Sequence, residues 1–211
     1  PPKSVVLANG ITLNYVRAGR GTPLIFIHGA MGDYRSWQPQ WPGFIARFDC
    51  ISYSRRYSYP NPNALETTNH NALVDAADLE LFLDVLGLEK AILVGSSYGG
   101  YTALAMGLRA PNRVRAVVAV EAPMMRYAME TAEGAAVAAE FLQNSAYPAR
   151  EAFARGDDEG VADLGRQLPQ RPGFRHMAGL QVRAEAHVHR LDGAEPVLPE
   201  RTAVADQIGR T

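Results

Sequence analysis

Cysteine is nearly absent from this 211-residue sequence: Cys50 stands alone, so no disulfide can form within the chain. That excludes the small secreted scaffolds held together by paired cysteines. Charge of one sign is missing too. Twenty-one Lys and Arg face 22 Asp and Glu, for a formal net charge of −1. Neither a nucleic-acid-binding basic stripe nor an adhesive acidic tail fits that balance. No apolar run approaches the roughly 20 residues that cross a bilayer, and no leader-like segment opens the sequence. With its lone thiol, the chain is expected in the cytoplasm, with no nucleic-acid or membrane partner. It has no Gly-x-x-x-x-Gly-Lys-[Ser/Thr] phosphate loop and no dinucleotide fingerprint, so no nucleotide cofactor is expected. No metal is expected either. His187 and His189 are close in sequence, but a pair at i and i+2 chelates poorly without further ligands. What is present is a 47% hydrophobic fraction, enough to build the core of one domain.

Ser4–Ala8 and Ile11–Val16 flank Asn9-Gly10, which predicts a hairpin. Pro23–Ile27 is a continuous apolar run, as in a strand buried on both faces. Ser36–Phe48 reads as a helix disturbed by Pro39 and Pro42, and Cys50–Tyr53 as a strand. Asn71–Leu86 is the clearest helix, with Leu73, Ala76, Ala77, Leu83 and Leu86 at helical spacing and Gly87 as its stop. Strand Ala91–Val94, helix Tyr101–Arg109 and strand Val114–Val120 follow. Strands alternating with helices predict an α/β fold with a mostly parallel sheet, to which the hairpin adds antiparallel strands. Ligands in such sheets bind beyond the carboxyl ends of the strands. His28, Arg55, Ser97 and Glu121 all lie just past predicted strand ends.

Between the strand ending at Val94 and the helix from Tyr101 lies Gly95-Ser96-Ser97-Tyr98-Gly99. A Gly-x-Ser-x-Gly in that setting is a nucleophile elbow, where a tight turn requires small neighbours and presents the serine at a helix N-terminus. Ser97 is therefore the candidate nucleophile. The alternative is a glycine-rich turn without chemistry.

These residues, with Phe26-Ile27-His28-Gly29 and Tyr53-Ser54-Arg55-Arg56-Tyr57, resemble the α/β-hydrolase superfamily from about Val5 to Pro123. Within it the chain is similar to the esterase, C–C hydrolase and epoxide hydrolase group. A serine at the elbow, where epoxide hydrolases and haloalkane dehalogenases carry an attacking carboxylate, argues against those two. The resemblance implies acyl transfer through a serine ester. The backbone N–H groups of Tyr98 and Ala30, with Met31 next, would form the oxyanion hole. Chain order in the family is Ser, then acid, then His. Glu121 is the candidate acid, or else a rim carboxylate paired with an arginine such as Arg126. Of the five histidines, His28 and His70 precede the serine; His28 reads as part of the oxyanion loop. His176, His187 and His189 follow Glu121, and a base is sought at His187 or His189, though none sits after a late strand as the family requires. Met31, Trp37, Tyr57 and Tyr59 are pocket or packing residues. The Arg55-Arg56 pair binds a substrate carboxylate or is simply an exposed loop charge.

The expected organisation is a hydrolase core over residues 1–123, a helical cap-like region over 124–160 and an atypical tail over 161–211. Met124–Leu142 is read as cap helix with Met129, Ala132, Ala136, Ala139 and Leu142 facing inward, and Tyr147–Phe153 as a second short helix. Beyond about residue 160 no run compares with Leu24–Ile27, so the late C-terminal strands of the fold are missing from the pattern. A truncated or frame-shifted gene, a piece of a longer polypeptide and a divergent tail each account for this; the first is preferred. It predicts an edge strand left bare after Val120, and hence a homodimer or higher oligomer formed through that edge or the tail. Two readings of function stand: a serine hydrolase of small carboxylic esters that uses no cofactor, and a hydrolase-fold remnant that serves as a binding or structural module. C–C bond hydrolysis is a third, weaker option.

Overall fold

The computed structural model describes residues 1–65, 70–123, 129–157, 159–160 and 189–190. Asn9-Gly10 turns the chain between β1 (Lys3–Val6) and β2 (Thr12–Gly19), which pair antiparallel as the hairpin signal predicts. Three buried parallel strands follow: β3 (Thr22–Ile27), β4 (Phe48–Tyr53) and β5 (Ala91–Ser96), with β6 (Val114–Val120) beside β5. A two-residue strand, β7 (His189–Arg190), lies antiparallel to β6. The strand order is β1-β2-β4-β3-β5-β6-β7. The sheet is therefore mixed, with a parallel centre.

Two helices, α1 (Ala72–Val85) and α2 (Tyr98–Arg109), cover one face. Their core with the sheet includes Ile25, Ile27, Ile51, Tyr53, Leu79, Phe82, Leu93 and Met106. On the opposite face Leu24, Phe26, Cys50 and Val94 pack under Trp37, Trp41, Phe44 and Phe48. The segment that carries those aromatics is not the predicted helix over 36–48. Only a 3-10 turn forms, Gln38–Gly43, because Pro39 and Pro42 remove the amide hydrogens an α-helix needs.

The α1 helix starts as its sequence suggests, with the Asn71 side chain accepting from the Leu73 and Val74 N–H groups at 2.9 and 3.3 Å. Gly87, at φ 66°, follows its end. Its inner face departs from the predicted one: Leu73 is exposed, and the buried residues include Asp75 and Asp78. These aspartates stay inside because each meets an arginine, Arg55 at 2.7 Å and Arg56 at 2.6 Å. Arg55 is thus buried rather than an exposed loop charge.

After β6 come α3 (Ala132–Phe141), a π-turn over Leu142–Ala146 and α4 (Tyr147–Ala154). The second short helix falls where predicted. The inner face of α3 does not: Gly134, Val137 and Ala138 are buried, while Ala132, Ala136 and Ala139 face out and Met129 is exposed. Apart from Glu133 and Glu140 this stretch is alanine-rich, so several helical faces are apolar and periodicity picks the inner one poorly. The predicted bare edge is also modified, since β7 covers β6 at Ala116 and Val117.

Candidate active site

The turn from β5 into α2 puts Ser97 at φ 51° and ψ −123°, a strained conformation for a residue with a side chain. Crowding at the turn explains both glycines. A Cβ on Gly95 would fall on the Gly99 carbonyl, and one on Gly99 would fall on the Ile27 carbonyl. The Ser97 N–H donates to the Val120 carbonyl at 2.8 Å, tying the turn to the end of β6. Among the described residues the Ser97 hydroxyl makes no hydrogen bond.

The loop after β3 passes over this serine. A Cβ built on Gly29 would lie 3.4 Å from Ser97 Cβ and 3.9 Å from its Oγ. His28 holds the loop from below. Its Nε2 accepts from the Arg55 backbone N–H at 3.0 Å, which leaves the proton on Nδ1 to donate to the Gly29 carbonyl at 2.7 Å. Burial, with the Arg55 charge second, pushes its pKa down to about 4. With both nitrogens engaged, this histidine is a neutral structural element and not a base.

Arg55 and Arg56 follow β4 on a segment fastened by asparagines. The Asn61 side chain accepts from the Asn14 N–H at 2.8 Å and donates to the Ser54 and Arg55 carbonyls at 2.9 Å. Asn63 pairs with both backbone groups of Thr12, accepting at 2.9 Å and donating at 2.8 Å. The amides thus continue the β2 ladder where the main chain has left it. The Arg55 guanidinium donates to Asp75 Oδ2 at 2.7 Å and to the Gly29 carbonyl at 3.1 Å, and lies 4.6 Å from the centre of the Tyr98 ring.

A cavity of about 340 Å³ opens beside the elbow, lined by Ala30, Arg55, Tyr57, Ser58, His70 and Tyr98. It gathers four residues read from the sequence, Ala30, Arg55, Tyr57 and Tyr98. It adds His70, whose Nε2 lies 3.3 Å from Asp75 Oδ2 and whose ring meets Tyr57 edge-on at 5.0 Å. Position just before the helix cap was the one signal for His70. Two sequence-predicted pocket residues lie elsewhere. Trp37 packs on Phe26 at 5.1 Å in the opposite core, because its ring satisfies the sheet face there. Met31 is 87% exposed and does not line the cavity.

Glu121 takes φ 51° directly after β6, next to the Val120 carbonyl that holds Ser97. It is exposed, and among the described residues its carboxylate has no partner. His189 lies in β7 opposite Val117. That backbone position is three residues short of Val120, about 10 Å back along the strand from the rim, so the strand pairing does not bring it to Ser97. His176, His187 and Arg126 lie outside the described residues. Among the described residues no group of three or more His, Cys, Asp or Glu side chains is placed to hold a metal ion.

Comparison with known proteins agrees with this fold. The profile of the alpha/beta hydrolase fold family matches residues 22–159, more than half of the chain. Bifunctional epoxide hydrolase 2 of Sus scrofa is 30% identical over 122 residues, 57% of this chain and 22% of its own length. The 2-hydroxymuconate semialdehyde hydrolase of Pseudomonas sp. (strain CF600) is 35% identical over 121 residues, 54% of this chain and 41% of its own. This chain therefore spans well under half the length of these curated relatives. The solved structure of a Nostoc sp PCC 7120 protein superposes with a TM-score of 0.64 at 19% identity, covering 86% of this chain and 68% of its own. The chain belongs to the alpha/beta hydrolase fold family.

Proposed function

We propose that this protein is a serine hydrolase that cleaves small carboxylic esters through an acyl-enzyme. The observation that carries the reading is Ser97 itself, held at positive φ between β5 and α2 and faced by the Gly29 loop. Ser97 Oγ attacks the ester carbonyl carbon and its proton passes to a histidine base. The carbonyl oxygen becomes an oxyanion bound by the Tyr98 and Ala30 N–H groups. The intermediate collapses, the alcohol leaves with that proton, and water releases the acid by the reverse path. Glu121 orients the base, which comes from the residues beyond 160, His187 being the candidate. The relatives' names support hydrolysis in general. Epoxide opening, which the porcine relative's name suggests, is disfavoured by a serine at the elbow.

A second reading is C–C bond hydrolysis on the same serine, favoured by the identity to the Pseudomonas enzyme. Hydrolysis of p-nitrophenyl acetate by the parent and by Ser97→Ala tests the first. The variant is expected to lose on the order of 10⁴-fold, as when a triad member is disabled. Equal rates would remove Ser97 from the mechanism. A larger kcat/KM for 2-hydroxymuconate semialdehyde than for the ester would favour the second reading.

A further inference from the structure

One guanidinium meets the Gly29–Ala30 peptide assigned above to the oxyanion hole and the side-chain ring of Tyr98, the residue that supplies the other assigned donor. The Gly29 carbonyl and the Ala30 N–H belong to the same peptide unit. That carbonyl accepts from Arg55 Nη2 at 3.1 Å, from His28 Nδ1 at 2.7 Å and from the Gly32 N–H at 3.2 Å. A carbonyl bonded to a cation shifts toward its polarised form, and its own amide hydrogen becomes more positive and a stronger donor. The bonds also fix the plane of the peptide, and so the direction of the Ala30 N–H. The central carbon of the same guanidinium lies over the Tyr98 ring, 4.6 Å from its centre, and the backbone N–H of Tyr98 is the other assigned donor. Two of the five N–H donors of Arg55 are committed, one on Nη1 to Asp75 and one on Nη2 to Gly29, while its buried Nε has no partner among the described residues.

We propose that Arg55 is a positioning residue of the oxyanion hole, aligning and polarising the Gly29–Ala30 peptide through its carbonyl and bracing Tyr98 through its ring. The inference rests on the serine-hydrolase reading, and the experiment separates the two. The full chain is compared with the double variant Arg55→Met, Asp75→Asn, which removes the cation without leaving its buried partner charged. The backbone N–H of Arg55 that sets the His28 tautomer remains in the variant.

The rate at which a fluorophosphonate labels Ser97 is expected to fall roughly 10- to 100-fold, less than deleting a donor outright. For p-nitrophenyl acetate kcat should fall in proportion with KM unchanged, and the Ala30 amide proton should move upfield in the NMR spectrum. Arg55→Lys, which keeps a cation at Asp75 but cannot also reach Gly29 and stack on Tyr98, should lose several-fold in kcat; it is the second test should the double variant not fold. Parent labelling that persists at an equal rate in the folded variants overturns the inference alone. So does a rise in KM with kcat unchanged, which would make Arg55 a substrate-binding group. A parent that is not labelled at all overturns the serine-hydrolase reading and this inference with it.

Discussion

At the scale of single residues, the region around the candidate site is built from polar groups that serve structure. His28 is the clearest case. Its pKa falls from 6.5 to about 4 in the folded state. The unfolded chain therefore binds the extra proton first as pH drops. His28 contributes its full stability above pH 6.5, loses it progressively between 6.5 and about 4, and adds no further loss below that. The span corresponds to about 3 kcal/mol. An NMR titration should show the His28 ring neutral at pH 5 in the folded protein, and urea unfolding should show stability declining across that window. A His28 that titrates near 6.5 would contradict this assignment. The sequence made His28 legible as part of the oxyanion loop. It could not reveal that both ring nitrogens are engaged, because one partner is a backbone amide 27 positions away.

At the scale of elements, the glycines of the β5–α2 turn differ in how tightly they are constrained. Gly99 abuts the Ile27 and His28 carbonyls, which belong to the β3 end and cannot shift. Gly100 has more room, with Gly95 O at 3.1 Å and the Ala122 side chain at 3.2 Å from the added carbon. Gly99→Ala should therefore destabilise by several kcal/mol, as overpacking against backbone does, and Gly100→Ala by about 1 kcal/mol. Thermal melts of both variants check the contrast; equal losses would contradict it. This turn was legible because its residue types leave few alternatives, and the strands were legible because buried strands are continuous apolar runs. The inner face of α1 was less so. Asp75 and Asp78 sit on it, three residues apart, and make sense only once Arg55 and Arg56 are placed against them. Two carboxylates on the buried side of an apolar helix were the available signal that the arginine pair is structural. The Asn61 and Asn63 ladder left no pattern a local reading can find, since its partners lie 47 and 51 positions away.

For the whole molecule, the topology sets the candidate groups along one rim at the carboxyl ends of β3, β4, β5 and β6, as sheets of this kind do. At the outer side of that sheet, among the described residues, β7 pairs with β6 at Ala116 and Val117, and Val120 at the rim end is 43% exposed. We propose that this side of the sheet pairs with a second copy of the chain, as unpaired edge strands do. Light scattering at micromolar concentration should accordingly return a dimer or higher oligomer, and a monomer alone would sink that expectation. No helix among the described residues is long and apolar enough to cross a membrane. The base is the component for which neither sequence nor fold supplies a position: His187 lies outside the described residues, and His189 sits away from the rim by strand register.

The measurement that tests the central claim most directly is covalent labelling of the whole chain with a fluorophosphonate, followed by mass spectrometry of the adduct. The serine-hydrolase account predicts rapid, stoichiometric labelling at Ser97, abolished in Ser97→Ala. A folded sample that remains unlabelled, or one labelled at another residue, would contradict it and leave the elbow as a turn in a hydrolase-fold remnant.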